Sequence, residues 1–77
     1  MKVTLFTKAE CGLCREAEEA LRRLRKKIFF QFELVDIEGD PALYSRYWDR
    51  VPVLAVEGKE VGAAPLDEGT LRVLLSA

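Results

Sequence analysis

The sequence predicts one α/β domain over residues 1–77, in which a four-stranded mixed sheet is flanked by helices in the order β-α-β-α-β-β-α. Two observations predict this class. A buried strand, an amphipathic helix and a second strand form a βαβ unit in the first half of the chain, and a helix, a hairpin and a last helix follow. Because a βαβ unit pairs strands in parallel and a hairpin pairs them antiparallel, we expect a mixed sheet with helices on both faces.

Hydrophobic periodicity indicates the elements of the first half. Val3 to Phe6, bounded by polar residues, is typical of a short buried strand. Apolar residues then recur every three or four positions from Leu13 to Ile28, as on the buried face of an amphipathic helix. The run from Phe30 alternates apolar and polar residues, which predicts a second strand ending near Asp36 or Ile37.

A second helix is predicted where Asp40 precedes Pro41, because aspartate is favoured as an N-cap and proline at the first helical position. Tyr44, Tyr47 and Trp48 would lie near one face of this helix. A small domain needs large aromatic side chains in its core, so we expect these three to be buried or nearly buried.

The end of the chain is predicted to form a hairpin and a helix. Val53 to Val56 and Glu60 to Ala63 read as two strands joined by the tight turn Glu57-Gly58-Lys59. Asp67 is then expected to cap a last helix whose leucines repeat at helical spacing.

Composition narrows the possible partners and location. The formal net charge is only −1, so no overall field attracts the protein to nucleic acid or to an anionic membrane. No secretory signal is visible, because Met1-Lys2 leads directly into the first strand, and no apolar stretch approaches the ~18 residues of a membrane span. We therefore expect a cytoplasmic protein without nucleic-acid or membrane partners, and we expect it to be a monomer.

The motif most informative about function is Cys11-Gly12-Leu13-Cys14. As a structural staple, a disulfide that closes about four residues contributes roughly 2 kcal/mol in the chain-entropy interpretation, which is little. A structural zinc site needs about four ligands, and this chain offers two Cys and no His. A redox-active dithiol is the favoured interpretation, and a metal site completed by a second chain or an incidental pair stay as alternatives.

The position of the pair also favours redox chemistry. Cys11 falls where the loop after the first strand meets the start of the helix, and the unpaired N–H groups there stabilise a thiolate. Cys14 follows one turn later on the apolar stripe, placed to attack a mixed disulfide on Cys11. The cations Lys8 and Arg15 lie nearby, opposed by neighbouring glutamates, and the sequence does not decide which sign dominates.

With these motifs the sequence resembles the glutaredoxin branch of the thioredoxin superfamily. The resemblance begins with a strand, a lysine three residues before the first cysteine and the dithiol, in Val3-Thr4-Leu5-Phe6-Thr7-Lys8-Ala9-Glu10-Cys11-Gly12-Leu13-Cys14. It continues at Arg50-Val51-Pro52-Val53-Leu54 and at the hairpin Glu57-Gly58-Lys59-Glu60-Val61-Gly62, so that it covers nearly the whole chain. The stretch from Asp36 to Leu54 is similar to small bacterial glutaredoxin-like proteins of largely unassigned role.

The resemblance implies a thioredoxin fold with a redox site around the two cysteines. It implies that the Val51–Pro52 peptide bond is cis, faces the dithiol and leaves the Val51 backbone free to pair with an extended substrate or with glutathione. Taken alone, Pro52 favours a trans proline that begins a strand, because only about 5–6% of X–Pro bonds in folded proteins are cis. The resemblance also makes Lys8 a partner of the thiolate or of a glutathione carboxylate, where the residue alone is compatible with a plain surface lysine. The residues expected to bind substrate or glutathione are Lys8, Gly12, Leu13, Val51, Pro52, Gly62 and Ala63.

Three departures from the family pattern bear on the reductant. Gly12-Leu13 replaces the Pro-Tyr usual between the cysteines, and Glu10 stands where thioredoxins have Trp. Gly62-Ala63 replaces the Gly-Gly of the glutathione site, with the acidic residue displaced to Asp67. The reductant is therefore left open between glutathione, another small thiol and a reductase.

The function predicted from the sequence is thiol–disulfide exchange that reduces disulfides of proteins or small molecules, in cell redox homeostasis. Cys11 is the expected nucleophile and Cys14 the resolving residue, and we expect no metal and no cofactor apart from a thiol co-substrate. One alternative is a non-enzymatic module that binds a metal or an iron–sulfur cluster. The other is an interaction domain whose redox chemistry is vestigial.

Overall fold

The computed structural model describes residues 1–76, in which four strands and three α-helices follow one another in the predicted order. The strands are β1 (Lys2–Thr7), β2 (Gln31–Asp36), β3 (Val53–Val56) and β4 (Lys59–Ala63). The helices are α1 (Gly12–Leu24), α2 (Pro41–Tyr47) and α3 (Glu68–Ser76), with a 3-10 turn at Ile37–Gly39 between β2 and α2. No helix within residues 1–76 combines the length and the apolar composition that crossing a bilayer requires.

The strands form one mixed sheet in the spatial order β2-β1-β3-β4. β1 and β2 are parallel, with Val3 opposite Phe32, whereas β3 is antiparallel to β1, with Leu54 opposite Leu5. β3 and β4 form the antiparallel hairpin. The element order and the mixed pairing confirm the predicted fold class.

The two faces of the sheet pack against different helices. Alternation along β1 turns Val3 and Leu5 to the face covered by α1 and α3. The buried residues of this main core are Val3, Leu5, Ala17, Ala20, Leu21, Leu24, Phe30, Leu54, Leu66, Leu71 and Leu75. Phe6 turns to the opposite face, where the ring of Tyr47 on α2 stacks on it with a centroid distance of 4.9 Å.

A second buried cluster contains one of the two cysteines. It consists of Cys14, Ile37, Tyr47, Val51 and Val53, and we call it the sulfur-side cluster. Its members come from α1, the 3-10 turn, α2, the segment after α2 and β3, so five parts of the chain meet in it. Because each of them excludes water from the others, packing in this cluster holds the start of α1 close to the Val51–Pro52 segment.

The start of α2 follows the sequence prediction. Asp40 has an extended backbone and its Oδ1 accepts hydrogen bonds from the backbone N–H groups of Ala42 at 2.9 Å and Leu43 at 3.3 Å. Pro41 occupies the first helical position, where its missing N–H costs nothing. Asp40 therefore satisfies two of the otherwise unpaired donors at this helix end.

The prediction that the first helix extends along the whole apolar stripe was wrong at its carboxyl end. α1 ends at Leu24, and residues 25–28 form a turn. The backbone N–H groups of Lys27 and Ile28 both donate to the Leu24 carbonyl, at 2.9 and 2.8 Å. The Lys26 N–H donates to the Arg23 carbonyl, three residues back, at 3.2 Å, so the regular bonding to the fourth residue back is lost there and the chain tightens into a turn. Ile28 still packs against the main core.

The prediction that three aromatic residues of α2 are buried was right for only one of them. Tyr47 is 5% exposed, whereas Tyr44 is 41% and Trp48 51% exposed. α2 has seven residues, just under two turns, and it presents one narrow side to the sheet. Tyr47 occupies that side, so Tyr44 and Trp48 remain on the flanks.

The alternation seen in the second strand also overstates its burial. Phe30 is buried immediately before β2, Phe32 is half-buried and Leu34 is exposed. β2 is an edge strand of the sheet, and the helices of the main core do not extend over its far end. The alternation therefore identified the strand, but it could not show that no helix covers Leu34.

Candidate functional site

Cys11 is the N-cap of α1. Its backbone is extended, with φ −121° and ψ 104°, and its Sγ accepts a hydrogen bond from the backbone N–H of Cys14 at 3.2 Å. The preceding residue, Glu10, has a positive φ of 55°, a conformation uncommon for a non-glycine residue. This left-handed residue turns the chain from the β1–α1 loop into the helix, and it leaves the Cys11 sulfur at the helix amino end.

Cys14 lies one turn into α1 and differs from Cys11 in its surroundings. It is 3% exposed and belongs to the sulfur-side cluster, whereas Cys11 is half-buried and packs at the edge of that cluster. The two cysteines form a disulfide, with their Cα atoms 5.2 Å apart. One sulfur of the pair is therefore accessible and the other is shielded.

The segment after α2 approaches the pair. Val51 is buried in the sulfur-side cluster with Cys14, and Ala63 of β4 packs against the same cluster as Cys11 does. The Val51–Pro52 peptide bond is cis, and Pro52 is fully buried. The structure thus brings together both cysteines, Val51, Pro52 and Ala63 at one edge of the sheet.

The backbone of Val51 is only partly available to a ligand. Its N–H donates to the Tyr47 carbonyl at 3.1 Å, so the expectation that the whole Val51 backbone is free was wrong for this donor. The reason is local, because Val51 still belongs to the hydrogen-bonded turn that ends α2. The Val51 carbonyl accepts no backbone hydrogen bond from residues 1–76.

Lys8 lies beside the pair, but its ammonium group is engaged elsewhere. Its Nζ donates to the backbone carbonyl of Trp48, at the end of α2, over a distance of 2.9 Å. The side chain also lines a cleft of about 190 Å³ together with both cysteines, Arg15 and Glu18. The resemblance predicted that Lys8 lies next to the sulfurs, as it does, but it did not predict the hydrogen bond to the Trp48 carbonyl.

The remaining candidates occupy three different environments. Leu13 is 54% exposed beside the dithiol. Gly12 is exposed, and a Cβ added to it would meet nothing within 4 Å. Gly62 instead lies against α3, since a Cβ there would fall 2.8 Å from Leu74 Cδ1. The structure therefore gives Gly62 a packing role that the sequence did not indicate.

Two carboxylates near the start of α3 have perturbed ionisation. The backbone N–H of Thr70 donates to Asp67 Oδ1 at 2.8 Å, and this hydrogen bond lowers the pKa of the Asp67 carboxyl. The pKa of Glu68 is lowered first by its hydrogen bond with Arg23 of α1. Within residues 1–76, no three His, Cys, Asp or Glu side chains are grouped in a way that could hold a metal ion.

Some contacts of the site escaped sequence analysis. Lys8 reaches a carbonyl 40 residues away, and the backbone N–H of Ala9 donates to Glu38 Oε1 at 3.0 Å. The Ala64–Pro65 peptide bond is also cis, like Val51–Pro52. No periodicity or motif signals the two hydrogen bonds, because each joins segments that are distant along the chain.

Comparison with known proteins agrees with this fold. Residues 2–76 match the family described as Glutaredoxin-like domain (DUF836). An uncharacterized protein of Mycobacterium tuberculosis is 32% identical over 76 residues, which cover 92% of this chain and 78% of the mycobacterial one.

Solved structures give the same result. The structural-genomics target protein XcR50 from X. campestris is 40% identical, with a TM-score of 0.80 over 96% of this chain and 95% of its own. Protein Ne2328 from Nitrosomonas europaea is 36% identical, with a TM-score of 0.76 over 94% and 87%. Thioredoxin from Fasciola hepatica is 28% identical, with a TM-score of 0.70 over 97% and 77%. The chain therefore belongs to the glutaredoxin-like DUF836 family of the thioredoxin superfamily.

Proposed function

We propose that this protein is a thiol–disulfide oxidoreductase in which Cys11 attacks the substrate disulfide and Cys14 resolves the intermediate. The observation that carries the proposal is the difference between the two sulfurs. Cys11 is accessible at the amino end of α1, whereas Cys14 is buried one turn later within disulfide-bonding reach. The nucleophilic sulfur must be accessible to the disulfide of a substrate, whereas the resolving sulfur needs to reach only the nucleophilic cysteine beside it.

The amino end of α1 supplies the electrostatic part of the mechanism. The backbone N–H of Cys14 points at Cys11 Sγ, and a hydrogen bond to a sulfur is stronger when the sulfur is a thiolate. The unpaired N–H groups of the first helical turn and the helix dipole act in the same direction. We therefore expect the reduced Cys11 thiol to titrate below the free-cysteine pKa of about 8.5.

The reaction proceeds in two exchanges. The Cys11 thiolate attacks one sulfur of a substrate R–S–S–R′, forming a Cys11–S–S–R mixed disulfide and releasing R′S⁻, which takes a proton from water. Cys14, as its thiolate after losing a proton to water, then attacks Cys11 Sγ, forms the Cys11–Cys14 disulfide and releases RS⁻. The substrate gains two electrons and the protein loses two, and two molecules of an external thiol or one reductase restore the dithiol.

The substrates we propose are disulfide-containing proteins or small disulfides that reach Cys11 along the Val51–Pro52 segment. The Val51 carbonyl is available to accept a hydrogen bond from an extended chain, and exposed Leu13 adds an apolar contact beside the sulfur. The regenerating thiol is glutathione or another small thiol of a reducing compartment, which the cytoplasm provides. Gly12 and Ala63 complete the proposed binding surface, whereas Pro52 is buried and Gly62 packs against α3, so neither contributes exposed surface to it. The protein acts as a monomer.

The test is reduction of insulin, followed by the turbidity of its released chains, with dithiothreitol as the electron source and the rate of a protein-free reaction subtracted, so that the outcome does not depend on which thiol is the natural reductant. We expect turnover by the unmodified protein, no turnover by Cys11→Ser and a trapped mixed disulfide on Cys14→Ser, detected by intact mass. Protein alkylated at both cysteines controls for the fold without the thiols. Full activity in Cys11→Ser would refute the assignment.

Two further measurements separate the rival functions. Iron content and the visible spectrum of anaerobically purified protein identify a cluster-binding module, which a colourless and metal-free protein contradicts. A Cys11 titration near the free-cysteine pKa of about 8.5, together with absent turnover, identifies an interaction domain.

A further inference from the structure

The β1–α1 loop that carries Cys11 is joined to the α2 side of the molecule by two polar contacts. The Lys8 ammonium donates to the Trp48 carbonyl at 2.9 Å, and the Ala9 backbone N–H donates to Glu38 Oε1 at 3.0 Å. Lys8 and Ala9 are adjacent, and Glu10 and Cys11 follow them directly. Both contacts therefore act within three residues of the nucleophilic sulfur.

The Trp48 carbonyl is a group that needs a partner. Trp48 is the C-cap of α2, and the last carbonyls of a helix have no intrahelical N–H to accept. A lysine ammonium satisfies such a carbonyl well, because it adds a favourable charge at the helix carboxyl end. The hydrogen bond accordingly caps the carboxyl end of α2.

The end of α2 determines the position of the substrate-facing segment. The backbone N–H groups of Arg50 and Val51 both donate to the Tyr47 carbonyl, at 2.8 and 3.1 Å. Val51 is therefore hydrogen-bonded to the last residue of α2, and Pro52 follows Val51 in the chain. A contact that holds Trp48 in place also holds Val51, which lies three residues after Trp48 in the turn that ends α2.

We infer that Lys8 is a positioning residue that ties the nucleophile loop to the end of α2 and so sets the Val51–Pro52 segment against Cys11. The inference rests on the proposed oxidoreductase function. It assigns the lysine's hydrogen bond to the protein's own backbone, whereas the resemblance assigns that lysine to the thiolate or to a glutathione carboxylate. The two roles predict different consequences when the ammonium is removed.

The experiment compares Lys8→Met, Lys8→Arg and Lys26→Met with the unmodified protein. Lys8→Met keeps much of the side-chain volume but removes the donor, and Lys8→Arg restores one. Lys26 lies just beyond α1, and its ammonium pairs with no carboxylate within residues 1–76, so its variant controls for loss of a surface charge. The readouts are amide hydrogen exchange at Arg50 and Val51, the kinetics of insulin reduction and the thiolate absorbance titration of Cys11.

The expected result is a change at the Val51 segment and none at the sulfur. In Lys8→Met, exchange at Arg50 and Val51 should accelerate roughly fivefold and KM should rise by a similar factor, because one charge-assisted hydrogen bond is lost at a half-exposed site. The Cys11 titration and kcat should match those of the unmodified protein. Lys8→Arg should recover most of the loss, and Lys26→Met should show none.

Two results would overturn the inference, and they differ from failure of the proposed function. If amide exchange at Arg50 and Val51 is unchanged in Lys8→Met, Lys8 does not position the Val51–Pro52 segment. A raised Cys11 pKa with unchanged exchange assigns Lys8 to the thiolate instead. An unmodified protein that fails to reduce insulin refutes the oxidoreductase proposal itself, and the positioning role falls with it.

Discussion

Gly62 on β4 lies directly against Leu74 on α3, so that a Cβ at residue 62 would fall 2.8 Å from Leu74 Cδ1. Real Cβ atoms essentially never approach a heavy atom so closely, and the leucine end must move to admit one. This contact sets the spacing between the edge strand and the last helix.

Gly62→Ala is therefore expected to lower the free energy of unfolding by about 1 kcal/mol, the low end of overpacking costs, because a flexible leucine terminus can yield. Urea denaturation measures the change. Leu74→Ala should make the glycine substitution harmless in a double-mutant cycle. An equal cost of Gly62→Ala in both backgrounds would show that the leucine is not responsible.

Gly12→Pro is expected to stabilise the protein by about 0.4–1 kcal/mol, because proline restricts the unfolded chain. Gly12 is the first residue of α1, where no helical N–H is lost, and a Cβ there meets nothing within 4 Å. Cys11 already has the extended backbone that a residue before proline requires. Thermal and urea denaturation of the oxidised protein measure the effect.

Ala9→Pro is the matched control for this substitution. It places the same ring three residues earlier, in the loop before α1, and it removes the N–H that donates to Glu38, so it should destabilise the protein. Equal effects of the two prolines would contradict the placement of Gly12 at the helix start.

Tyr47→Ala is expected to cost about 3 kcal/mol, since it removes a buried ring that stacks on Phe6. Tyr44→Ala, one turn earlier on the same helix and 41% exposed, should cost less than about 1 kcal/mol. If Tyr47→Ala proves too unstable to measure, Tyr47→Leu should give an intermediate loss. Similar costs at the two tyrosines would mean that α2 presents a different side to the sheet.

Asp67→Ala is expected to lower the urea midpoint at neutral pH, because Asp67 Oδ1 accepts the Thr70 N–H at the start of α3. The pKa of this carboxyl is lowered first by that backbone hydrogen bond. A carboxyl whose folded pKa is depressed stabilises the fold above its unfolded pKa, and the contribution disappears as pH falls through the folded value.

The difference between the unmodified protein and Asp67→Ala should therefore shrink as pH falls below about 4. Midpoints measured at several pH values test this. Asp49→Ala serves as the control, since Asp49 is exposed and forms no hydrogen bond or ion pair through its carboxylate within residues 1–76. A pH-independent difference would show that the Asp67 carboxylate is not the stabilising group.

The sequence predicted the element order because its signals are local. Asp40 fixes the start of α2 by accepting hydrogen bonds from the backbone N–H groups of Ala42 and Leu43, and the apolar stripe of α1 reports one helix face directly. Cys11 and Cys14 are three residues apart, so their relation to the helix start also follows from the chain itself. Such features need no knowledge of distant segments.

Burial and long-range contacts could not be predicted in the same way. The pattern around Tyr44 and Trp48 is apolar, but whether another layer covers those rings depends on how α2 sits on the sheet. The hydrogen bond from Lys8 to Trp48 joins residues 40 positions apart and involves a backbone carbonyl, which any residue type provides. Side-chain identity therefore gave no indication of it.

The Val51–Pro52 segment is anchored on both sides, by the Tyr47 carbonyl that accepts the Val51 N–H and by the Pro52 carbonyl that accepts the Ala64 N–H at 3.1 Å. A polypeptide docking there immobilises few additional torsions of this protein, so the loss of conformational entropy on association falls mainly on the incoming chain. We therefore expect the conformation of the substrate around its disulfide to determine which substrates react fastest. A disulfide whose cysteine lies in an exposed, extended segment should be reduced faster than one whose cysteine lies in a helix.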